Sequence, residues 1–359
     1  MSVSVFEHPI LSGLLGDEPL SQLFAVTAEI EAMLQFEAAL AIAEEDAGVI
    51  AKGSGAKIAA ACRKIRPDIA ALRDATARDG VCVPELVRQL RTAADPKVAV
   101  DVHFGATSQD VIDTALVLRL KTALEELDGR LDALTALLGD VDARFGAGWL
   151  MAHTRMQRAV PVNVSDKVAT WRAPLAELKD ALGPVKGRVL RLQFGGAVGT
   201  LDRLDNKKVK VAERLARELG LAYEGCWHTN RVAIADFAGW LSQITGVLGK
   251  IGRDVTLMAQ NEVGDITLSG GGTSSAMAHK QNPVAAEILV TLAGFNASLV
   301  SGTHSALIHE NERSGSAWTL EWMLLPQMVV ATGAALRTAV RLVENIDALG
   351  TEDNGGASP

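Results

Sequence analysis

The sequence predicts an all-α protein built around a bundle of long helices. In three stretches the apolar residues alternate steps of three and four, and a mean step of about 3.5 favours a left-handed helical bundle. Convincing period-2 segments flanked by turn signals are missing, so strands should be few. The three stripes are Leu116, Leu120, Leu124, Leu127, Leu131, Leu134 and Leu138; Val168, Trp171, Leu175, Leu178, Leu182, Val185, Val189 and Leu192; and Ile234, Phe237, Leu241, Ile244, Leu248, Ile251, Val255 and Met258.

Two further helices are expected, from about residue 284 to 301 and from about 318 to 349. Pro174 and Pro184 should kink the second of the three striped helices without abolishing it, because proline removes one hydrogen bond of the ladder. The stripes are wider than one partner helix covers, which favours a homo-oligomer.

The first hundred residues differ, with shorter helices expected at about 20–47 and 84–94 separated by glycines and a proline. We therefore expect a smaller N-terminal helical domain at 1–102 and a central long-helix bundle at 103–349. The polar, glycine-rich residues 350–359 are expected to form a disordered tail.

Composition limits the classes of function. The chain has 359 residues, of which 48% are hydrophobic and 22% charged, as in folded globular proteins. A net charge of −8 argues against a nucleic acid or an anionic membrane surface as a partner. Cys62, Cys82 and Cys226 lie far apart without metal-ligand spacing, so we predict reduced, buried thiols and no metal site.

The sequence also carries expectations about location. Residues 1–19 contain acidic side chains and no basic segment, unlike a signal peptide. No apolar run approaches the roughly 20 residues that a membrane span needs. We therefore expect a soluble, cytoplasmic protein with no membrane partner.

The first of four polar clusters is His103-Phe104-Gly105-Ala106-Thr107-Ser108-Gln109-Asp110. Thr107 and Ser108 come directly before a long helix, whose free N–H groups favour an anion. The alternative is that Ser108 or Asp110 only caps the helix while Thr107 folds the turn.

The second cluster, at 153–161, contains Arg155 and Gln157, and the third, at 193–200, is rich in glycine. Shortly after the third comes Trp227-His228-Thr229-Asn230-Arg231, at the start of the most regular helix. None of these segments is a dinucleotide fingerprint or a metal motif.

The fourth cluster is the loop at 270–283, which begins with three glycines and continues Thr-Ser-Ser-Ala-Met-Ala-His-Lys-Gln-Asn-Pro. Glycine permits backbone conformations closed to other residues, so this loop should be able to move. A plain linker would not be expected to carry an ordered Met, Lys and Asn-Pro. Glu287 follows one turn into the next helix, and Arg313 lies further on with geometry suited to a carboxylate.

These segments resemble the signatures of the fumarase/aspartase superfamily, whose members eliminate a group β to a carboxylate. The loop is similar to the SSxMPxKxNP pattern, with Ala278 in place of the proline. The first cluster is similar to HxGxTSxD, and the second to THxQxAxP. The resemblance covers roughly residues 10–345 and implies a fumarase/aspartase-like helical bundle that forms homotetramers with active sites shared between subunits.

The resemblance also assigns roles, with a small polycarboxylate as substrate and no cofactor. Ser274 would transfer the proton, with Ser275 as the less favoured candidate. Arg155 occupies the place of the histidine that protonates the leaving group in many members, and Glu287 would pair with it. The substrate would be bound by side chains from all of the clusters: His103, Thr107, Ser108, Gln157, His228, Arg231, Lys280, Asn282 and Arg313.

Two readings remain within the superfamily. The segments QFGGAVGTL, WHTNR and ERSGSAW are most similar to the cycloisomerases, which close a muconate diene to a lactone. The alternative is a lyase that releases fumarate, of the argininosuccinate or adenylosuccinate type. A non-catalytic helical scaffold is a third, less favoured reading. Superfamily members usually carry a further C-terminal helical domain, which we expect to be missing or vestigial here.

Overall fold

The computed structural model describes residues 4–273, residue 277 and residues 281–351, and in this part the protein is mostly helical, as expected. The α-helices are α1 Ser12–Leu15, α2 Glu18–Gln22, α3 Val26–Asp46, α4 Ser54–Lys64, α5 Ile69–Asp79, α6 Val83–Ala93, α7 Ser108–Phe145, α8 Val164–Asp180, α9 Leu182–Val189, α10 Lys208–Leu219, α11 Val232–Met258, α12 Val284–Ser305 and α13 Ser316–Glu344. The strands are β1 Trp149–Thr154, β2 Gln157–Asn163, β3 Ile266–Leu268, β4 Gly272–Thr273, β5 Gln281–Asn282 and β6 Ile346–Leu349. Short 3₁₀ turns lie at Ala99–Asp101 and Asp202–Lys207.

Helix α7 is the longest described element, with 38 residues, or about 57 Å at 1.5 Å per residue. Its leucine stripe faces inward: Leu120, Leu124, Leu127, Leu131, Leu134 and Leu138 are fully buried. They pack with residues of α8, α9, α11, α12 and α13 in one core. The stripe therefore forms the expected long-helix bundle.

Two glycines allow α11 and α12 to cross closely. A Cβ atom placed on Gly249 would come within 2.5 Å of the Ala293 Cβ. A Cβ on Gly252 would overlap with the carbonyl oxygen of Ala286. Glycine at these two positions therefore sets how near the two helices lie, at some cost in helix propensity.

A second core cluster is formed mainly by the N-terminal helices. It contains residues of α3, α4, α5 and α6, but also the start of α7, residues 192–219 and Trp318. This cluster draws on segments from both sides of residue 102. The division at 1–102 and 103–349 stays a prediction.

The second striped helix is interrupted between α8 and α9, at Ala181. Pro174 is accommodated inside α8. Pro184 has no N–H to donate to the carbonyl of Asp180, so the ladder is broken at that point. Ala181 keeps helical dihedral angles, so the helix is interrupted at a single residue, and the expected kink of its axis stays a prediction.

Two local expectations were wrong. The second polar cluster lies in the β1–β2 hairpin, where Met151 pairs with Pro161 and Thr154 with Gln157, although no strand was predicted there. The last helix was expected to continue to residue 349, but it ends at Glu344, after which β6 pairs with β3. Strand β6 has only four residues, and neither it nor the two hairpin strands show the alternating burial of a half-buried strand.

Three of the described helices have the length and composition of a membrane span: α11, α12 and α13. By these two criteria, the expectation that no apolar run reaches this length was wrong. The most apolar 18-residue stretches of α11 and α13 are 61% and 67% buried inside the protein, whereas only 22% of the corresponding stretch of α12 is buried. The absence of a membrane partner stays a prediction, and α12 exposes an apolar surface to be explained.

Candidate active site

A cavity of about 860 Å³ opens where α7 begins and α13 begins. Among the expected substrate-binding residues, Ser108 and Arg313 both line it. Ser108 is the first residue of α7, so the free N–H groups of that helix end lie at the cavity wall. The remaining lining residues are Asp79, Gly80, Val81, Ser314, Gly315, Ser316, Trp318, Thr319, Leu320, Trp322 and Met323. A hydroxyl, a guanidinium and a helix N-terminus together favour an anionic ligand.

Three hydrogen bonds hold the guanidinium of Arg313. Its Nε donates to Oε1 of Gln109 over 3.1 Å. Its Nη2 donates to the carbonyl oxygens of Ala197, at 3.0 Å, and Gly196, at 3.5 Å. Nη1 makes no hydrogen bond to the described part of the chain, and it is therefore available to a substrate carboxylate.

Asp110 joins the first and third polar clusters. Its buried carboxylate accepts from the N–H groups of Thr107, Gly195 and Gly196 at 2.8–3.0 Å. It also accepts from the Gln193 side chain at 3.1 Å. The bond from Thr107 belongs to a capping box in which Thr107 is the N-cap residue and Asp110 its partner. Asp110 thus takes part in the cap, as the alternative expected, but Thr107 does more than fold the turn. The same carboxylate fixes the turn whose carbonyls hold Arg313.

Arg231 lies in a buried ion cluster rather than at the cavity. Its guanidinium donates to Asp113, at 2.6 and 3.2 Å, and to both carboxylate oxygens of Glu321. These four bonds use four of its five N–H groups, and the residue is only 2% exposed. Trp318 also donates to Asp113, over 2.9 Å. In the described chain Arg231 therefore faces buried carboxylates, and its expected contact with substrate stays a prediction.

The two expected histidines are also turned toward buried carboxylates. Nε2 of His228 lies 2.9 Å from Asp110, and the ring is 3% exposed. Burial alone would lower the pKa of His228, but Asp110 and Cys226 raise it to about 9. Nδ1 of His103 lies 2.6 Å from buried Glu37. Among the described residues neither histidine lines the cavity, and their expected contacts with substrate stay predictions.

Arg155 and Gln157 lie on the exposed β1–β2 hairpin, at its tip. Arg155 and Met156 both have positive φ angles, 48° and 67°, as a tight hairpin turn requires. In the described part of this chain, Arg155 has no carboxylate within 4.0 Å, and the same is true of Glu287 for cations. The single chain thus leaves the expected Arg155–Glu287 pair unformed.

The loop with the expected catalytic serine is described only at its base. Ser274, Ser275 and Lys280 lie outside the described residues. At the base, Gly272 pairs with Asn282 and Thr273 with Gln281, as β4 and β5. Asn282 lines a second cavity of about 270 Å³, and exposed Glu287 lies on the first turn of α12.

The buried network that holds these groups was not predicted from the sequence. Gln109, Asp113 and Glu321 are buried polar residues on helices whose inner faces are mostly apolar. Polar residues at such positions are the one signal that could have indicated the network. Among the described residues no group of His, Cys, Asp and Glu has the arrangement of a metal site.

Comparisons with known proteins agree with this architecture. The model of the Lyase_1 family, described as lyase, matches residues 17–297. A 3-carboxy-cis,cis-muconate cycloisomerase from Pseudomonas aeruginosa is 40% identical over 336 residues, which are 92% of this chain and 73% of the relative.

Two solved structures are similar over 94% of this chain and 77% of their own. The 3-carboxy-cis,cis-muconate lactonizing enzyme of Pseudomonas putida has a TM-score of 0.89 and 36% identity. A fumarate lyase of a Mesorhizobium species has a TM-score of 0.87 and 29% identity. On this match to the family model and these identities, the chain belongs to the Lyase_1 family, within the fumarase/aspartase superfamily.

Proposed function

We propose that this chain is a cofactor-independent cycloisomerase. It closes 3-carboxy-cis,cis-muconate, or an analogue with another anionic group on carbon 3, to a muconolactone. The similarity to cycloisomerases at up to 40% identity supports this activity. The observation that carries it is Arg155, a permanent cation at the exposed hairpin tip where many superfamily members have an acid histidine.

The cation distinguishes between the two reactions of the superfamily. Lyases that expel an amine or hydroxide must protonate a poor leaving group, and this needs an acid. Opening a muconolactone expels a carboxylate, which is stable at neutral pH because its pKa is about 4. Arginine is effectively never deprotonated, so it cannot act as the acid but can balance the carboxylate charge. Arg155 therefore favours the cycloisomerase.

In the lactone-forming direction, a carboxylate oxygen of the substrate adds to the diene carbon β to another carboxylate. The C–O bond forms, and the electron pair of the double bond moves to give an enediolate. The α-carbon of that enediolate then takes a proton from Ser274 or, less favoured, Ser275. A serine hydroxyl is a weak acid and base, so nearby charge must activate it.

Binding groups are assigned by charge and position. Lys280 and Asn282 would hold the carboxylate where negative charge develops. Thr107, Ser108 and Arg313 would hold a second carboxylate at the 860 Å³ cavity. Gln157 and Arg155 would bind the remaining anionic group.

We propose that the active site is shared between subunits of a homotetramer. The Arg155 hairpin is exposed in the single chain, and Glu287 is exposed on α12. The most apolar 18-residue stretch of helix α12 has a mean hydropathy of 1.6, but only 22% of it is buried. Packing of α12 against other copies would bury that surface. A soluble cytoplasmic location and a small polycarboxylate as the only partner complete the proposal.

The second candidate is a lyase that releases fumarate, favoured by the similarity to the Mesorhizobium fumarate lyase. Purified protein is mixed separately with 3-carboxy-cis,cis-muconate and with argininosuccinate. The cycloisomerase removes the diene absorbance of the first and releases no fumarate from the second. Fumarate release without diene loss would exclude the cycloisomerase and support the lyase.

A further inference from the structure

The thiol of Cys226 packs against the turn that holds Arg313. Gln193 donates to its sulfur over 3.4 Å. A Cβ atom on Gly195 would overlap with Sγ, and one on Gly199 would lie 3.4 Å from it. The carbonyls of the residues between these glycines accept from the guanidinium of Arg313. An atom added to the sulfur on this side would therefore displace the turn.

A buried imidazole lies beside the thiol. The point that a Gly195 Cβ would occupy is 3.0 Å from Cε1 of His228 and closer still to the sulfur. Nε2 of His228 is bonded to Asp110, while buried Nδ1 has no hydrogen-bond partner among the described residues. The carboxylate of Asp110, the imidazole of His228 and the thiol of Cys226 thus follow one another, and the imidazole can hold positive charge next to the sulfur.

The charges facing Cys226 favour its thiolate. Burial alone would raise the pKa of this thiol, but His228 and Gln193 lower it below the ordinary value. Tyr223, whose pKa is raised chiefly by burial, also interacts electrostatically with Cys226 and Asp110. By contrast, burial raises the pKa of Cys62 to about 12 and that of Cys82 to about 11. Cys226 and Cys82 are both partly exposed, and of the three thiols only that of Cys226 has a lowered pKa.

We propose that Cys226 is an oxidation site for hydrogen peroxide and that its oxidation switches off substrate binding at Arg313. The thiolate sulfur attacks one oxygen of the peroxide, forming the S–O bond as the O–O bond breaks. The departing hydroxide takes the proton of the His228 imidazolium and leaves as water. Sulfur loses two electrons and becomes a sulfenic acid, which an external thiol reduces again.

The modification is tested first without any assay of turnover, so that it does not depend on the proposed function. The native protein is treated with hydrogen peroxide in the presence of dimedone, and the peptides of all three cysteines are measured by mass spectrometry. We expect the adduct on Cys226 at least about tenfold above Cys62 and Cys82, because reactivity follows thiolate character and access. Comparable labelling of the three cysteines, or none on Cys226, would overturn the proposal.

The effect on binding is tested with 3-carboxy-cis,cis-muconate and thus rests on the proposed function. Oxidation should raise KM at least about tenfold, as expected when a carboxylate contact is lost, and dithiothreitol should restore it. Cys226→Ala should resist peroxide, whereas Cys82→Ala should remain sensitive. If Cys226→Ala does not fold, brief iodoacetamide treatment of the native protein should itself raise KM, and dithiothreitol should not reverse it, because alkylation adds a group to the same sulfur. An adduct on Cys226 with unchanged KM would refute the switch and leave the proposed function intact.

Discussion

Nε of Arg313 donates to Oε1 of Gln109 across 3.1 Å, and this bond determines which guanidinium nitrogens face the cavity. Gln109 in turn donates to the carbonyl of His228 and to Asp113, so it is held from its other end as well. Arg313 is thus positioned by a buried network before any substrate arrives. Such preorganisation reduces the entropy lost on binding.

The first prediction concerns this arginine. Arg313→Lys keeps the positive charge but cannot bond Gln109 and the carbonyls of residues 196 and 197 together. We expect KM for 3-carboxy-cis,cis-muconate to rise about tenfold or more, since a charge-assisted hydrogen bond contributes roughly 1.5–3 kcal/mol. Steady-state kinetics measure the change in KM, with Arg88→Lys, a substitution at an exposed arginine, as control. An unchanged KM would show that Arg313 does not bind substrate.

The second prediction tests Arg155 as a cation. In a cycloisomerase Arg155→His should lower kcat, because a histidine is largely neutral at pH 8, whereas Arg155→Lys should retain more activity. In an amine lyase the same histidine should raise fumarate release. Both products are followed for each variant. Arg158→His, on the same exposed hairpin, is the matched control and should leave both rates unchanged.

The third prediction concerns proton transfer. Ser274→Ala should reduce kcat to below a few per cent, roughly the loss seen when a proton-transferring group is removed. Ser275→Ala should retain more activity, and circular dichroism should show that both variants fold. The roles would be exchanged if Ser275→Ala proved the more damaging substitution.

The fold could be predicted largely from the sequence because the bundle depends on local periodicity. The leucine stripe of α7 and the stripe of α11 are regular enough to identify both helices, and both are buried. The β1–β2 hairpin could not be predicted in this way, since its strands are mostly exposed and their apolar residues do not alternate. Its stability comes from pairing between strands rather than from a pattern within one strand.

The site was predicted less completely, for a similar reason. Ser108 and Arg313 share a cavity, although 204 residues separate Gln109 from the arginine that it holds. The roles of Arg231 and His228 depend on partners remote in sequence. From sequence alone, an arginine that faces substrate cannot be distinguished from one that, like Arg231, faces two buried carboxylates.

The fourth prediction follows from that buried cluster. Arg231→Met would leave Asp113 and Glu321 as buried charges without their shared cation. Breaking a buried ion pair in this way costs about 3–5 kcal/mol of unfolding free energy. Urea unfolding at a fixed protein concentration measures the loss. Arg214→Met, which breaks the more exposed ion pair with Asp46, should cost no more than about 1 kcal/mol.

The fifth prediction concerns buried Glu44 on α3. Neither of its carboxylate oxygens has a hydrogen-bond partner in the described part of the chain, and the side chain is fully buried. Burial, together with Glu37 and Asp101 and against Arg203, raises the pKa of Glu44 from 4.5 to about 9. Between pH 4.5 and about 9, the folded protein therefore keeps a proton that the unfolded chain has lost.

Because the folded-state pKa is the higher one, the contribution of Glu44 to stability is fully present below about pH 4.5 and is lost as the pH rises toward 9. The slope from one proton is at most about 1.4 kcal/mol per pH unit. Glu44→Gln cannot ionise and should remove this slope, so that the variant exceeds the parent in stability at about pH 8. The raised pKa of His228 has the same sign between 6.5 and about 9 and should leave a smaller slope in the variant. Urea unfolding across this range, with exposed Glu31→Gln as control, measures both, and an unchanged slope in Glu44→Gln would show that Glu44 is ionised in the folded protein.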